Sequence, residues 1–424
     1  MALVAPWTKA LCPFCFETFH LSDAPRRRTS GAKERDEFVG RFLSSPGNEV
    51  PPPEMHKIEP PPSQGGFMRR LYHSFFVPDD WNGEVKKVCP NCHLFLPHAT
   101  ACEMLGSEII AIIGDRGSGK SNYFGVLLRE LENRYAAEVG FTMYDQETFF
   151  VREMRSIHSA GLYARRYAPL YDRIGPRMAI VQTASSKSGG NEDLRIPLIY
   201  RLEFSPRMID YVLRPFSPRR ALDLVIFDAA GEDMRDDDPD ILDRFYRYIA
   251  AASGIIFLID PIQCDGIRKQ LDPDLQRRFP PETIDQAEIV ARVINLFQRR
   301  RGLKPGQSLQ VPIAFAFTKA DLLLNLVDPS SRLRRSDRHE GGFDESECHE
   351  LSEEMAAYLQ RWGSKRLLQL AQEKVRVSAF FALSALGQTP EDRTLRLQRE
   401  VEPHRVADPL LWLLRQRGYI PALR

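Results

Sequence analysis

The residues Gly114-Asp115-Arg116-Gly117-Ser118-Gly119-Lys120-Ser121 stand between the apolar run Glu108–Ile113 and an amphipathic stretch. Glycine, four residues, then Gly-Lys-Ser is the P-loop pattern. Its chemistry is that of an anion cradle, in which backbone N–H groups and the positive end of a helix dipole face phosphate oxygens. Lys120 would reach the β- and γ-phosphates, and the Ser121 hydroxyl would ligate Mg²⁺. Asn122, next along, starts the stretch to Tyr135 that puts Phe124, Leu127, Leu128, Leu131 and Tyr135 on one helical face.

Three more motifs end apolar runs in the same way. Ala221 to Phe227 runs into Asp228-Ala229-Ala230-Gly231-Glu232, where Asp228 would sit beside the Mg²⁺ shell and the Gly231 N–H would meet a γ-phosphate with no Cβ in the way. Val311 to Phe317 runs into Thr318-Lys319-Ala320-Asp321. Val375 to Leu383 runs into Ser384-Ala385-Leu386-Gly387.

A separate chemistry is written ahead of the P-loop. Cys12-Pro13-Phe14-Cys15 and Cys89-Pro90-Asn91-Cys92 each offer two thiolates, and together they complete a closed tetrahedral Zn²⁺ site. Reduced structural cysteines without metal are the alternative. His93, His98 and Cys102 are spare ligands that read as incidental. The gap between the pairs exceeds the usual spacing of about 15–20 residues. Pro25 to Gly66, with the basic run Arg26-Arg27-Arg28 and two proline triplets, reads as a flexible or polyproline-II insertion that fills it. A zinc ribbon with a long loop is the expectation, serving as a docking module for protein partners.

The elements that must position these motifs alternate. Strand-like Ile196–Phe204 and Ser253–Asp260 join those already named, with helices expected over about Glu147–Ala168, Glu282–Arg300 and Asp408–Gln416. Such alternation predicts an α/β fold, a doubly wound and mainly parallel sheet with its sites at the carboxyl strand ends. Residues 1–104 form the expected zinc-ribbon-like domain with its Pro-rich insertion, and 105–424 the nucleotide domain with further insertions. Over 424 residues the net charge is +1 and the apolar content 43%, which does not indicate a nucleic-acid binder. No run reaches the roughly 18 apolar residues of a membrane span. The start lacks a signal-peptide pattern, and the cysteine spacing suits a reducing compartment, so a cytoplasmic location is expected.

The order P-loop, DxxG, [NT]KxD and SA resembles the Ras-like (TRAFAC-type) P-loop GTPases, from Ser107 to Arg424 with large insertions. The resemblance implies GTP/GDP and Mg²⁺ as ligands and hydrolysis of GTP as the activity. Asp321 would accept hydrogen bonds from guanine N1 and N2, Lys319 would pack along the base and brace the P-loop, and the Ala385 N–H would reach guanine O6. Thr318 stands where asparagine is commoner, and Leu386 extends the base-side segment. The switch threonine is assigned to Thr183, with Thr142 and Thr148 competing. Hydrolysis would involve Lys120 and Thr183, together with two departures from the family pattern. Arg116 replaces a common glycine, either crowding the switch or acting as an arginine finger in cis. Glu232 replaces the glutamine that orients water, which points to slow turnover. The ribbon ahead of the DAAGE, FTKAD and DPLLWLL segments is similar to the bacterial double-GTPase-type proteins of conflict (defence) systems, which implies an effector or a second GTPase-type protein as partner. A nucleotide-holding scaffold without turnover, or another P-loop NTPase, are the alternatives.

Overall fold

The computed structural model describes residues 9–44, 49, 51–60, 85–97, 100–101, 108–115, 117–145, 198–204, 221–226, 246–279, 286–304, 306–390 and 397–423. Among the described residues, seven strands build the main sheet: β8 (Glu108–Gly114), β9 (Phe141–Asp145), β10 (Leu198–Phe204), β11 (Ala221–Ile226), β12 (Gly254–Ile259), β13 (Ile313–Phe317) and β14 (Ser378–Ala382), in the order β14-β13-β12-β8-β11-β10-β9. From β14 to β11 every pairing is parallel, and β10 and β9 close the far edge antiparallel. Strands buried on both faces should read as continuous apolar runs, and Gly254–Ile259 and Ile313–Phe317 are buried at every position. The mainly parallel α/β sheet expected from the sequence is therefore present.

Strand β8 is flanked by β11 and β12, neither of them its neighbour in sequence. That makes its carboxyl end a topological switch point, where open α/β sheets place ligands. Register aligns the motif-bearing ends: Gly114 lies opposite Leu258, Ile259 opposite Phe317, and Phe317 opposite Ala382.

Helix α2 (Lys120–Glu130) follows the P-loop, and the five apolar positions expected over Asn122–Tyr135 are all buried, three of them in α2. The expected helix to Tyr135 is interrupted, however, by a π-turn at Leu131–Tyr135 and continues through Ala136–Val139 to the left-handed Gly140. Arg134 and Tyr135 in that wider turn both reach Asp337. Helix α3 (Gln286–Arg300) covers most of the expected 282–300 segment, and the tail helix α6 (Asp408–Gln416) packs on β12 and β13. Between them, α4 (Glu345–Arg361) lies against β14 and α5 (Lys365–Lys374) against α3, two helices the sequence reading did not place. Strand β9 has no counterpart among the expected strands, while the helix expected at 147–168 lies outside the described residues.

The N-terminal stretch departs most from expectation. Pro25 to Gly66 is expected to be a flexible or polyproline-II insertion, yet its described residues hold β3 (Arg26–Arg28), β4 (Lys33–Arg35), α1 (Glu37–Leu43), β5 (Glu54–His56) and β6 (Ile58–Glu59). Strand β3 is central in a three-stranded sheet, between β6 and β7 (Val85–Lys87). The cause is Arg27. Its guanidinium is buried, paired with Asp36 and donating to the backbone carbonyls of His56 and His93. Asp36 also caps α1 by accepting from the Phe38 and Val39 amides. Burial opposes its charge, but hydrogen bonds from His93 and Arg27 outweigh that and hold its carboxyl down at about 2.

Candidate functional site

At the P-loop the backbone has the shape the glycines predict. Gly117 and Gly119 take φ of +73° and +82°, a region other residues rarely enter, and Gly119 starts α2 with no side-chain cap. A Cβ on Gly114 would come within 2.6 Å of Ser118 Oγ, so only glycine lets the loop fold back over the strand end. The Ser118 amide donates to the Asp115 carbonyl at 3.2 Å, and its own hydroxyl is buried with no hydrogen-bond partner. Lys120 is buried in the first turn of α2, followed by Ser121 and Asn122. A helix start without a side-chain cap and a close backbone turn suit an anion.

The third and fourth motifs meet each other. Thr318 is tied to the end of β12 through both its amide and its hydroxyl, each donating to the Ile259 carbonyl. The Ala320 amide donates to the Leu383 carbonyl, joining β13's exit to β14's. The Ser384 hydroxyl donates to Asp321 Oδ1 at 2.6 Å and accepts from the Gly387 amide at 2.9 Å. One carboxylate oxygen of Asp321 is thereby fixed, which orients the other. Ala385 and Leu386 follow, with Leu386 packed against Leu397. Lys319 takes a left-handed φ of +53° and places Nζ 2.6 Å from Asp260 Oδ2. Asp260 was read only as a strand end; the signal for its role was an aspartate closing the wholly apolar Gly254–Ile259 run.

Among the switch candidates, Thr142 lies in edge strand β9, its hydroxyl donating to the Glu203 carbonyl. Two strands lie between β9 and β8, which makes three strand spacings. That is about 14 Å at the usual strand spacing, so Thr142 does not reach the P-loop. Thr183, Thr148, Arg116, Asp228, Gly231 and Glu232 lie outside the described residues, as do His98, Cys102 and the side chain of Ser121.

The two cysteine pairs, far apart in sequence, do converge. Cys12 Sγ lies 3.7 Å from Cys92 Sγ, and Cys15 Sγ 3.7 Å from Cys89 Sγ. Four sulfurs tetrahedrally placed at 2.3 Å from a Zn²⁺ would lie about 3.8 Å apart. The knuckles are near copies. Cys12 and Cys89 accept at sulfur from the Phe14 and Asn91 amides, and at their carbonyls from the Phe16 and His93 amides. Phe16 and His93 both sit at positive φ, +61° and +57°. His93 is therefore used as a structural residue, its Nδ1 against Asp36, and is not one of the clustered ligands. Burial pushes the Cys12 and Cys92 thiols up, while hydrogen bonds from the other three cysteines pull Cys89 down. Phe16 also packs against Tyr248 at 5.2 Å, and Glu17 pairs with Arg247. The Tyr248 hydroxyl donates to the Ile110 carbonyl and accepts from the Ile112 amide, both in β8. The cysteine module thus abuts the residue that braces the P-loop strand.

A second buried group, Asp337, His339 and Asp408, could also offer metal ligands. Its charge is already matched within the chain, however. Arg134 faces Asp337, and Arg405 bridges Asp408 and Glu347. His339 Nε2 lies 2.9 Å from Asp408 Oδ1, with its ring stacked on Phe343 and tilted against Tyr135. Burial works against a charged imidazole, but the hydrogen bond and charge of Asp408, helped by Asp337, raise the His339 pKa overall despite Arg405. A pKa raised on folding stabilises the fold fully below the unfolded value of about 6.5, and that contribution is lost as pH rises through the folded value. Urea midpoints should accordingly fall as pH rises above the unfolded value of about 6.5, and His339→Gln should flatten that slope. Parallel slopes for the two proteins would show that His339 carries none of it.

No family model matches the chain. The protein SaeC of Mycolicibacterium smegmatis, whose name carries a proposed role in ESX-1 scaffolding and assembly, is 27% identical over 430 residues, spanning 95% of this chain and 97% of its own. Among solved structures, the signal recognition particle receptor SRb-GTP/SRX complex of Chaetomium thermophilum aligns at 14% identity and a TM-score of 0.28, covering 67% of this chain and 93% of that one. The Ski7 GTPase-like domain of S. cerevisiae, bound to GDP and inorganic phosphate, aligns at 13% identity and a TM-score of 0.30, covering 73% and 50%. Among the described residues no helix is long and apolar enough to cross a membrane.

Proposed function

We propose that this chain is a guanine-nucleotide-binding switch that hydrolyses GTP slowly and acts through protein partners. The observation that carries the reading is Asp321. Its carboxylate is oriented by Ser384, on loops that leave the same end of the sheet as the P-loop. A fixed acceptor there matches the two donors on a guanine edge, where adenine has no such pair. The phosphates would lie on the Gly114–Asn122 loop with Lys120, and the base between Thr318–Asp321 and Ser384–Leu386. Mg²⁺ would be held by Ser121, Asp228 and Thr183, with Gly231 at the γ-phosphate. The fit of the P-loop to phosphate is supported by its uncapped helix start and the clash any Cβ at Gly114 would make.

Turnover is expected to be slow because Glu232 can accept a hydrogen bond from water but cannot also donate one to the γ-phosphate. Arg116 is read as crowding the switch rather than as a finger. A partner would then supply what hydrolysis lacks, and GTP would order the switch segments until it is hydrolysed. The four-cysteine cluster is proposed to hold one Zn²⁺ and to fold residues 1–104 as a docking module, with 105–424 as the GTPase domain. The assembly role in the name of the M. smegmatis relative supports protein partners over the defence-system setting. It also favours a second reading, a nucleotide-holding scaffold without turnover, which phosphate release measured over a single turnover separates from the first.

The test of base recognition is Asp321→Asn. This change swaps the acceptor that the guanine N1 edge requires for a donor. GTP affinity should fall by about tenfold or more while xanthosine triphosphate affinity rises. An Asp321→Asn protein that keeps wild-type GTP affinity would remove Asp321 from the site.

A further inference from the structure

We propose that Asp260 and Phe279 are positioning residues of the base pocket, holding Lys319 so that its stem lies along the purine. This rests on the guanine-site reading above. The segment between them is a small lobe absent from the sequence-level plan: turns and short helices at Pro261–Gln263, Asp265–Arg268 and Pro273–Arg278. It packs directly beside the base motifs. Ile262 and Leu271 share a cluster with Leu322, the neighbour of Asp321, and Phe279 lies against that cluster. Arg268 closes the lobe by donating to the carbonyls of Ile262, Gln276 and Phe279. Arg278 staples it to the Pro390 carbonyl, on the loop that follows Ser384–Gly387. The lobe is therefore fixed on both sides of the proposed base position.

At its two ends it grips the same lysine. Asp260 spends one oxygen on the Ile262 amide at 3.0 Å and the other on Lys319 Nζ at 2.6 Å. Its side chain is only 4% exposed, so the ion pair is shielded on one side, while Lys319 keeps 29% exposure on the other. Phe279 places its ring 5.6 Å from the same ammonium, within cation–π range. A lysine chain pinned at its tip, rising from a left-handed backbone, has little freedom left. Its methylenes form a rigid apolar wall, which is what a planar base needs to stack against. A free lysine would have to be ordered by each incoming nucleotide, at a cost in affinity.

The experiment measures dissociation of N-methylanthraniloyl-GTP from the full chain for wild type, Asp260→Asn, Phe279→Ala, Lys319→Met and the double variant of 260 and 319. Asparagine still accepts from the Ile262 amide but loses the ion pair. Asp260→Asn should therefore speed dissociation by about tenfold, with little change in melting temperature. Phe279→Ala should speed it by less, and gives an arm that leaves the Asp260 cap intact. The double variant should release nucleotide no faster than Lys319→Met alone, because Asp260 acts through the lysine. Unchanged dissociation in both single variants would overturn the proposal, as would effects that multiply fully in the double variant. A wild-type chain that does not bind GTP would instead overturn the guanine reading beneath it.

Discussion

Replacing Lys120 with alanine should lower GTP affinity by roughly 100-fold and leave the fold intact. A lysine in the first helical turn after Gly119 would place its ammonium among the phosphate oxygens, and each charge-assisted hydrogen bond is worth about 1.5–3 kcal/mol. Two such contacts convert to roughly two decades of affinity or more. The fold should tolerate the change because the chain around Lys120 is held by other means. The Tyr123 amide donates to the Gly119 carbonyl, and Phe124 and Leu127 are buried beneath the helix. Equilibrium titration with labelled GTP, beside a melting curve, checks both halves. Equal affinity in the variant would take the P-loop out of the nucleotide site.

The second large effect belongs to the cysteines. Serine at both Cys12 and Cys15 should abolish zinc binding, and wild type prepared without chelator should carry about one zinc per chain. Binding of zinc to such sites is worth about 10–16 kcal/mol. Its loss should unfold Lys9–His20 and the Cys89 knuckle together, since each supplies half of the sulfurs. The consequence should travel further, because Phe16 and Glu17 pack on Tyr248 and Arg247. Tyr248 in turn bonds to Ile110 and Ile112 in the P-loop strand. A lower melting temperature for the whole chain is expected, not only loss of the N-terminal signal. Metal analysis finding no zinc, or a double variant with wild-type melting, would show that the four sulfurs are merely packed.

What could be read from the chain without coordinates was what lies contiguous in it. The P-loop and the segments Thr318–Asp321 and Ser384–Leu386 are each short runs at the end of an apolar strand, so their place in the sheet was legible along with the chemistry they suggest. The cysteine pairs were legible because each pair is spaced for one ion. What stayed hidden depends on distant partners. Arg27 reads as one of three solvated arginines until Asp36 and the His93 carbonyl are seen around it. The His339–Asp408 pair joins residues 69 positions apart, with no local pattern to announce it. Asp260 and Phe279 mark the ends of a lobe whose turns carry no strong period. Their meeting at Lys319 is set by the packing of Ile262 and Leu271 on Leu322.

The most direct measurement is equilibrium competition of GTP and ATP for the purified wild-type chain in the presence of Mg²⁺. With Asp321 oriented by Ser384 as the guanine acceptor, GTP should displace a labelled guanine nucleotide at concentrations lower than ATP by about tenfold or more. Equal competition by ATP would contradict the account.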